Sequence, residues 1–246
     1  MTDLKPKIIV IMPAYNAEKT LRLTYADLPK DKVDMIILTD DASTDKTVEI
    51  AKELGLKVFL HARNLGYGAN QKTCYREALK EGADIVAMVH PDYQYDPTLL
   101  PELIKPIINN EADVVLGSRM LSGDAVIRGM PRWKYIGNRI LTLLENITLK
   151  RRLSEYHTGY RVFSKAVLES IAFDKNSNGY VFDQEILFQI HERGFRIKEV
   201  PVPARYLPES SSANFLDSVL YGLGIIILII RYKLHKLGII RSSLFV

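Results

Sequence analysis

Cysteine is almost missing from this chain: Cys74 stands alone among 246 residues. A single thiol excludes an internal disulfide and fits a reducing compartment. No secretory leader is expected, because the early apolar run IIVIM is short and leads into Pro13. An apolar run of membrane-spanning length is also lacking. The stretch VLYGLGIIILII, Val219 to Ile230, has twelve residues, about 18 Å as a helix against a hydrocarbon core of roughly 30 Å. No G-x-G-x-x-G follows the first apolar segment and no G-x-x-x-x-G-K-[ST] occurs, which excludes the common dinucleotide and P-loop designs. Acids are scarce in two places. Between Ala125 and Arg152 only Glu145 faces seven Lys or Arg, and after Asp217 there is none. Net charge is only +4, so the basic character is local and points to an anionic surface or substrate. With no base-reading motif or aromatic-basic platform beside it, that charge is not read as a nucleic-acid site.

What is present alternates regularly. KIIVIMPAY, VDMIILTDD, KVFLHA, DIVAMVH and DVVLGSR read as short buried strands. Helical patterns separate them: AEKTLRLTYADL, a segment through Leu54 that Ser43 or Thr44 can cap, GANQKTCYREALKEG, and DPTLLPELIKPIINN with Pro106 breaking or kinking it late. Apolar strands alternating with helices predict an α/β fold, a mainly parallel sheet with helices on both faces. Ligands on such sheets bind beyond the carboxyl ends of the strands. Here those ends carry Pro13, Ala14, Tyr15 and Asn16, then Asp40 and Asp41, Arg63, His90 and Asp92, and Arg119. Gly66 and Gly68 precede a helix, where their backbone N–H groups are candidates for phosphate contact; a plain turn is the competing reading.

The stretch VHPDYQYDPT places His90, Asp92, Gln94 and Asp96 at alternate positions after IVAMV. In an extended segment such side chains point the same way, which suits clustered ligands for a hard cation. A helix cap is the simpler role for Asp96, since Pro97 follows it.

Taken in order, PAYNAEKTL, DDASTDKT, RNLGYGAN, HPDYQYDP and LGSRM resemble the family-2 glycosyltransferases, in the branch of dolichyl-phosphate and polyprenyl-phosphate sugar synthases. The likeness spans about residues 7 to 207. It implies the GT-A fold, a Rossmann-like sheet, and inverting transfer from a nucleotide-activated sugar with Mg²⁺ or Mn²⁺. Position by position, Pro13, Ala14, Tyr15 and Asn16 match the nucleotide-binding turn, and Asp41, with Asp40 beside it, matches the acid that contacts the nucleoside. Arg119 matches an arginine facing the donor phosphates. Two departures stand out. The turn reads Asn16-Ala17-Glu18 where the family usually has Asn-Glu, and the metal motif has His90 in place of its first Asp, followed by Asp92 and Gln94. His90 therefore either shifts preference toward Mn²⁺ or hydrogen-bonds the diphosphate.

The resemblance divides the chain into a GT-A domain over 1–207, with a donor half near 7–120 and an acceptor half over 121–207, and a tail over 208–246. In the acceptor half, Asp183 and Glu185 form a close acid pair near the start of a predicted helix. Asp183 is the candidate base for a hydroxyl acceptor. A phosphate acceptor is largely dianionic at pH 7, with a second pKa of about 6, and needs orientation more than deprotonation. Thr158-Gly159-Tyr160-Arg161 resembles an acceptor-side motif, and His157 precedes it. Arg205, with Ser210, Ser211 and Ser212 in RYLPESSSANF, offers a phosphate clamp or a solvated loop. In WKYIGNRILTLLENITLKRR, Ile136, Ile140, Leu143, Leu144 and Ile147 share one helical stripe. That stripe either packs on the sheet or lies on a membrane surface. The C-terminal amphipathic and apolar helix has the same two readings, interfacial anchor or contact in a homo-oligomer.

The expected activity is transfer from a UDP- or GDP-sugar to a polyprenyl phosphate, by a cytoplasmic protein peripheral on a membrane. A family-2 transferase for a saccharide hydroxyl and a non-catalytic nucleotide-sugar-binding subunit are the alternatives.

Overall fold

The computed structural model describes residues 5–206 and 215–245. Seven strands form one sheet in the order β3-β2-β1-β4-β6-β5-β7. The first five in the chain are those read from the sequence: β1 Ile8–Ala14, β2 Met35–Asp40, β3 Lys57–Leu60, β4 Ile85–Met88 and β5 Val114–Ser118. β1, β2, β3 and β4 run parallel, as do β5 and β7 (Ile197–Pro201). The sequence reading missed β6, Arg161–Ser164, which lies antiparallel between β4 and β5. Its four residues follow the Thr-Gly-Tyr run directly, too short a segment to show a period of its own.

Alternation along β1 splits the core into two layers. Ile9 and Ile11 face one cluster, which takes in helices α3 (Tyr67–Lys80), α6 (Lys165–Ser170), α7 (Phe182–Glu192) and the last helix α8 (Phe215–Lys236). Ile8, Val10 and Met12 face the other, under α1 (Leu21–Asp27), α2 (Thr47–Glu53) and α4 (Leu100–Ile108). Asp96 takes its expected cap, accepting from the Thr98 N–H, with Pro97 opening a short 3₁₀ turn before α4. Ser43 and Thr44 do not cap α2; they bond Asn16 instead. Pro106 sits in the last turn of α4, which ends two residues on.

The helices at the far end depart most from expectation. α5, Arg132–Leu149, buries Asn138, Thr142, Glu145 and Leu149. Its predicted apolar stripe faces outward: Ile136, Ile140, Leu143 and Ile147 are all more than half exposed. The helix is thus inverted, polar side in, which removes the option of that stripe packing on the sheet. The twelve-residue C-terminal run proves to be the middle of a longer element. α8 has 22 residues and meets the length and composition of a membrane span, about 33 Å at helical rise. It also packs on the domain. Ile225, Leu228, Ile229 and Tyr232 are buried, Tyr232 stacks edge-on against Phe188 and Phe245, and Gly222 lies 3.7 Å from Leu141 of α5 if given a Cβ.

Candidate active site

The strand order reverses between β1 and β4, so the crevice expected of such a sheet opens at their carboxyl ends. A cavity of about 780 Å³ lies there. Its floor is the turn after β1. Asn16 takes a left-handed conformation (φ 50°) and is pinned on both sides. Its N–H donates to Ser43 Oγ (2.8 Å), and its Oδ1 accepts from the Thr44 N–H (2.9 Å). Ala17 N–H donates to Thr47 Oγ1 at 2.7 Å. Pro13, Ala14, Tyr15 and Asn16 all line the cavity, and Tyr15 is 53% exposed, a ring free for stacking. Glu18 does not line it. Its carboxylate accepts from Lys46 N–H, and its own N–H donates to Asp45, so it staples the turn to the next loop.

Asp41 is a buried hub on the cavity wall. It accepts from the Leu65 and Gly66 N–H groups, both at 2.9 Å, and meets His61 Nδ1 at 2.7 Å. Asp40 sits behind it, taking the Ser43 N–H on Oδ2, while its buried Oδ1 has no partner among the described residues. Arg63 is exposed and outside the lining. Gly68 is outside it too. Its N–H donates to Asn178 O at 2.7 Å, and a Cβ there would come within 2.6 Å of Ser177 O and 2.7 Å of Phe182 Cβ. Close packing of α3 against the 177–182 segment therefore explains this glycine, and its amide is not free for phosphate.

His90, Asp92 and Gln94 line the cavity together. The segment is a turn rather than an extended strand, with Tyr93 in a left-handed conformation (φ 57°). Asp92 Oδ1 accepts the Gln94 N–H at 3.0 Å, and burial pushes its carboxyl above the usual range, with His90 opposing. Burial likewise holds the His90 imidazole below its usual range against the pull of Asp92 and Asp183. Among the described residues no cluster of three His, Cys, Asp or Glu side chains could hold a metal. A desolvated carboxylate beside an imidazole and an amide still fits a cation whose remaining ligands come from a diphosphate and water.

Arg119 lines the cavity but is already engaged. Its Nε donates to Glu155 Oε1 at 2.9 Å, Nη2 to the same oxygen and to His157 O at 2.6 Å, and Nη1 to Tyr206 Oη at 3.3 Å. Glu155 is fully buried. That burial opposes ionisation, yet Arg119 outweighs it and holds the carboxyl below the usual range. Arg205 braces the His90–Asp96 segment from outside the cavity: its N–H donates to Gln94 O, its Nη2 to Asp96 Oδ2 at 3.0 Å, and its guanidinium covers the Tyr93 ring at 4.4 Å. Ser210, Ser211 and Ser212 lie outside the described residues.

The acid pair separates. Glu185 turns away to accept the Ser177 N–H, whereas Asp183 faces the cavity. Tyr67 Oη donates to Asp183 Oδ2 at 2.8 Å, Gln71 Nε2 to Oδ1 at 3.0 Å, and Arg161 Nη2 lies 3.4 Å away. Arg161 is itself buried and clamps the Tyr156 and Thr158 carbonyls, so the Thr-Gly-Tyr-Arg run shapes the wall from behind. Several residues of the cavity wall escaped the sequence reading. Tyr67 lies between the two glycines that drew attention. Asp217, Ser218 and Tyr221 come from the first two turns of α8, read as an interfacial anchor or an oligomer contact, and they wall the cavity. Tyr221 Oη meets His157 Nδ1 at 3.1 Å, and His157 Nε2 lies 3.2 Å from buried Glu145.

A family model described as glycosyl transferase family 2 matches residues 9–172. The UDP-N-acetylglucosamine–dolichyl-phosphate N-acetylglucosaminyltransferase of Methanococcus voltae is 29% identical over 246 aligned positions, covering 93% of this chain and 97% of that protein. The undecaprenyl-phosphate mannosyltransferase of Micrococcus luteus is 29% identical over 204, covering 80% and 82%. Among solved structures, glucosyl-3-phosphoglycerate synthase from Mycobacterium tuberculosis in complex with uridine diphosphate superposes with a TM-score of 0.72 at 18% identity, over 93% of this chain and 80% of that one. The strand order, the cavity at the switch point and the matched family agree: this chain is a glycosyltransferase of family 2 with the GT-A fold.

Proposed function

We propose that the enzyme transfers a sugar from a UDP- or GDP-sugar to a polyprenyl phosphate at a membrane surface, with inversion and with a divalent cation. The observation that carries this reading is the inverted helix α5 lying against α8, whose first turns wall the same cavity that holds the nucleotide turn and Asp92. A water-soluble acceptor needs no such outward apolar face, whereas a lipid-borne phosphate must be met at a surface. Relatives named for dolichyl- and undecaprenyl-phosphate acceptors support the same choice.

The phosphate oxygen of the acceptor attacks the anomeric carbon, the bond to the donor diphosphate breaks on the opposite face, and the nucleoside diphosphate leaves. Asp41 and Tyr15 hold the nucleoside, and Arg119, oriented by Glu155, faces the leaving phosphates. Asp92 and Gln94 would hold the cation, with His90 beside them as a further ligand or as a hydrogen-bond donor to the diphosphate, and the cation would supply charge neutralisation of the departing diphosphate. Asp183 already accepts from Tyr67 and Gln71 and pairs with Arg161. That occupancy favours an orienting role over proton abstraction, and so a phosphate acceptor over a hydroxyl.

The test is a thermal-shift panel of UDP, GDP and their sugars with Mg²⁺, Mn²⁺ or chelator, followed by transfer to undecaprenyl phosphate in vesicles. A ligand at 100 times its dissociation constant adds about 2.7 kcal/mol. A metal-dependent shift with one nucleotide is expected, and Asp92→Asn is expected to abolish it without lowering the unliganded Tm. Full nucleotide binding by Asp92→Asn would overturn the metal assignment.

A further inference from the structure

We propose that Tyr67 is a positioning residue that fixes His90 as a nitrogen ligand to the cation, through a relay that starts at Asp183. The inference rests on the donor-site reading above. It goes beyond it by choosing between the two roles open to His90, metal ligand or hydrogen-bond donor to the diphosphate.

The Tyr67 hydroxyl has one proton and two neighbours. Asp183 Oδ2 is 2.8 Å away and His90 Nε2 is 3.3 Å away. The carboxylate is both nearer and the stronger acceptor, so the proton goes there. Asp183 is held in place for it by Gln71 and Arg161. What Tyr67 then presents to His90 is an oxygen lone pair. A bare ring nitrogen there would be repelled, so Nε2 carries the imidazole proton and donates. In a neutral imidazole the other nitrogen is then unprotonated.

The ring is also prevented from turning over. It lies nearly parallel to the Tyr67 ring (centroids 5.7 Å, 11°). Its Cδ2–Nε2 edge packs on Gly159, where a Cβ would stand 2.7 Å from Cδ2 and 3.0 Å from Nε2. Nδ1 therefore lies on the opposite edge of a ring that lines the cavity with Asp92, and no described residue hydrogen-bonds it. An unprotonated nitrogen repels a diphosphate oxygen and accepts a cation. Imidazole suits Mn²⁺ better than Mg²⁺, so the exchange of the family's first Asp for His90 selects the metal. A carboxylate orienting a histidine ligand is a familiar outer-shell device; here a tyrosine hydroxyl is inserted between the two.

The experiment reads the tautomer directly, by ¹⁵N NMR of imidazole-labelled, metal-free protein, with His90→Gln to assign the signal. The expected result is a protonated Nε2 and a pyridine-like Nδ1 at His90, replaced by a tautomer mixture in Tyr67→Phe and Asp183→Asn. In parallel, the metal concentration needed for UDP or GDP to stabilise the protein is measured. Wild type is expected to need less Mn²⁺ than Mg²⁺. Tyr67→Phe should raise the Mn²⁺ requirement on the order of 10-fold, and His90→Asp should remove the preference. A protonated Nδ1 in the wild type overturns the inference alone, as does a Mn²⁺ requirement that neither Tyr67→Phe nor His90→Asp alters. Nucleotide binding indifferent to any metal overturns both it and the metal-dependent donor site.

Discussion

Glu155 and Arg119 show what a single side chain does to this site. The arginine on the cavity wall is locked in place by a fully buried carboxylate that also takes Asn138 Nδ2 at 2.8 Å. Breaking a buried pair typically costs about 3–5 kcal/mol, because the remaining charge is left uncompensated. Glu155→Gln is therefore expected to lower the denaturation midpoint and, with Arg119 released, to weaken donor binding. The pH dependence follows the same pair. Since the folded carboxyl is held below its unfolded value, near 4.3, its contribution is present above that pH and is lost as acid protonates the folded form. The variant should have a flatter acid limb of stability, read as Tm between pH 3 and pH 6. Gly68 carries a different prediction. Gly68→Ala forces a Cβ against the 177–182 segment, an overpacking that costs about 1–3 kcal/mol. It should lower Tm equally with and without nucleotide; a loss confined to the nucleotide-bound state would return this glycine to a phosphate-binding role.

At the scale of the element, α5 and α8 matter most. Deleting α8 as a detachable anchor would remove Ile225, Leu228, Ile229 and Tyr232 from the core and Tyr221 from the cavity wall. Truncation would therefore damage folding and site together. Substitution of the outward faces separates the two. Ile140 and Ile227 are 54% and 65% exposed, so Ile140→Glu with Ile227→Glu should leave the unfolding free energy within about 0.5 kcal/mol of wild type. Flotation with anionic vesicles is the readout, and the double variant is expected to stay in the soluble fraction. Its continued flotation would move the contact away from these helices.

For the whole molecule, charge is distributed so that the basic segments accompany the apolar ones. Arg231, Lys233, Lys236 and Arg241 follow the apolar stretch of α8, and Arg132, Lys134 and Arg139 lie on α5. Near an anionic leaflet each cation contributes about 1 kcal/mol, within a screening length of about 8 Å at physiological salt. Vesicle binding is thus expected to weaken between 0.05 and 0.5 M salt with anionic lipid, and to be weak at all salt concentrations with zwitterionic lipid. Salt-independent binding to both would show that apolar insertion alone holds the protein at the surface.

The strands β1 to β5 and the polar residues at their ends were legible in the sequence, because period, turn residues and cap residues act over a few positions. The same locality marked the turn after β1 and the His90–Gln94 segment, both of which line the cavity. Tertiary structure decided what depends on distant partners. β6 enters between β4 and β5 through antiparallel pairing that no local pattern signals. The buried face of α5 includes Asn138, which donates to the buried Glu155 carboxylate from a distant loop. Tyr67 meets Asp183 across 116 residues. A hydrogen bond of that span leaves no periodicity behind, only two residues whose chemistry becomes apparent once the chain has brought them together.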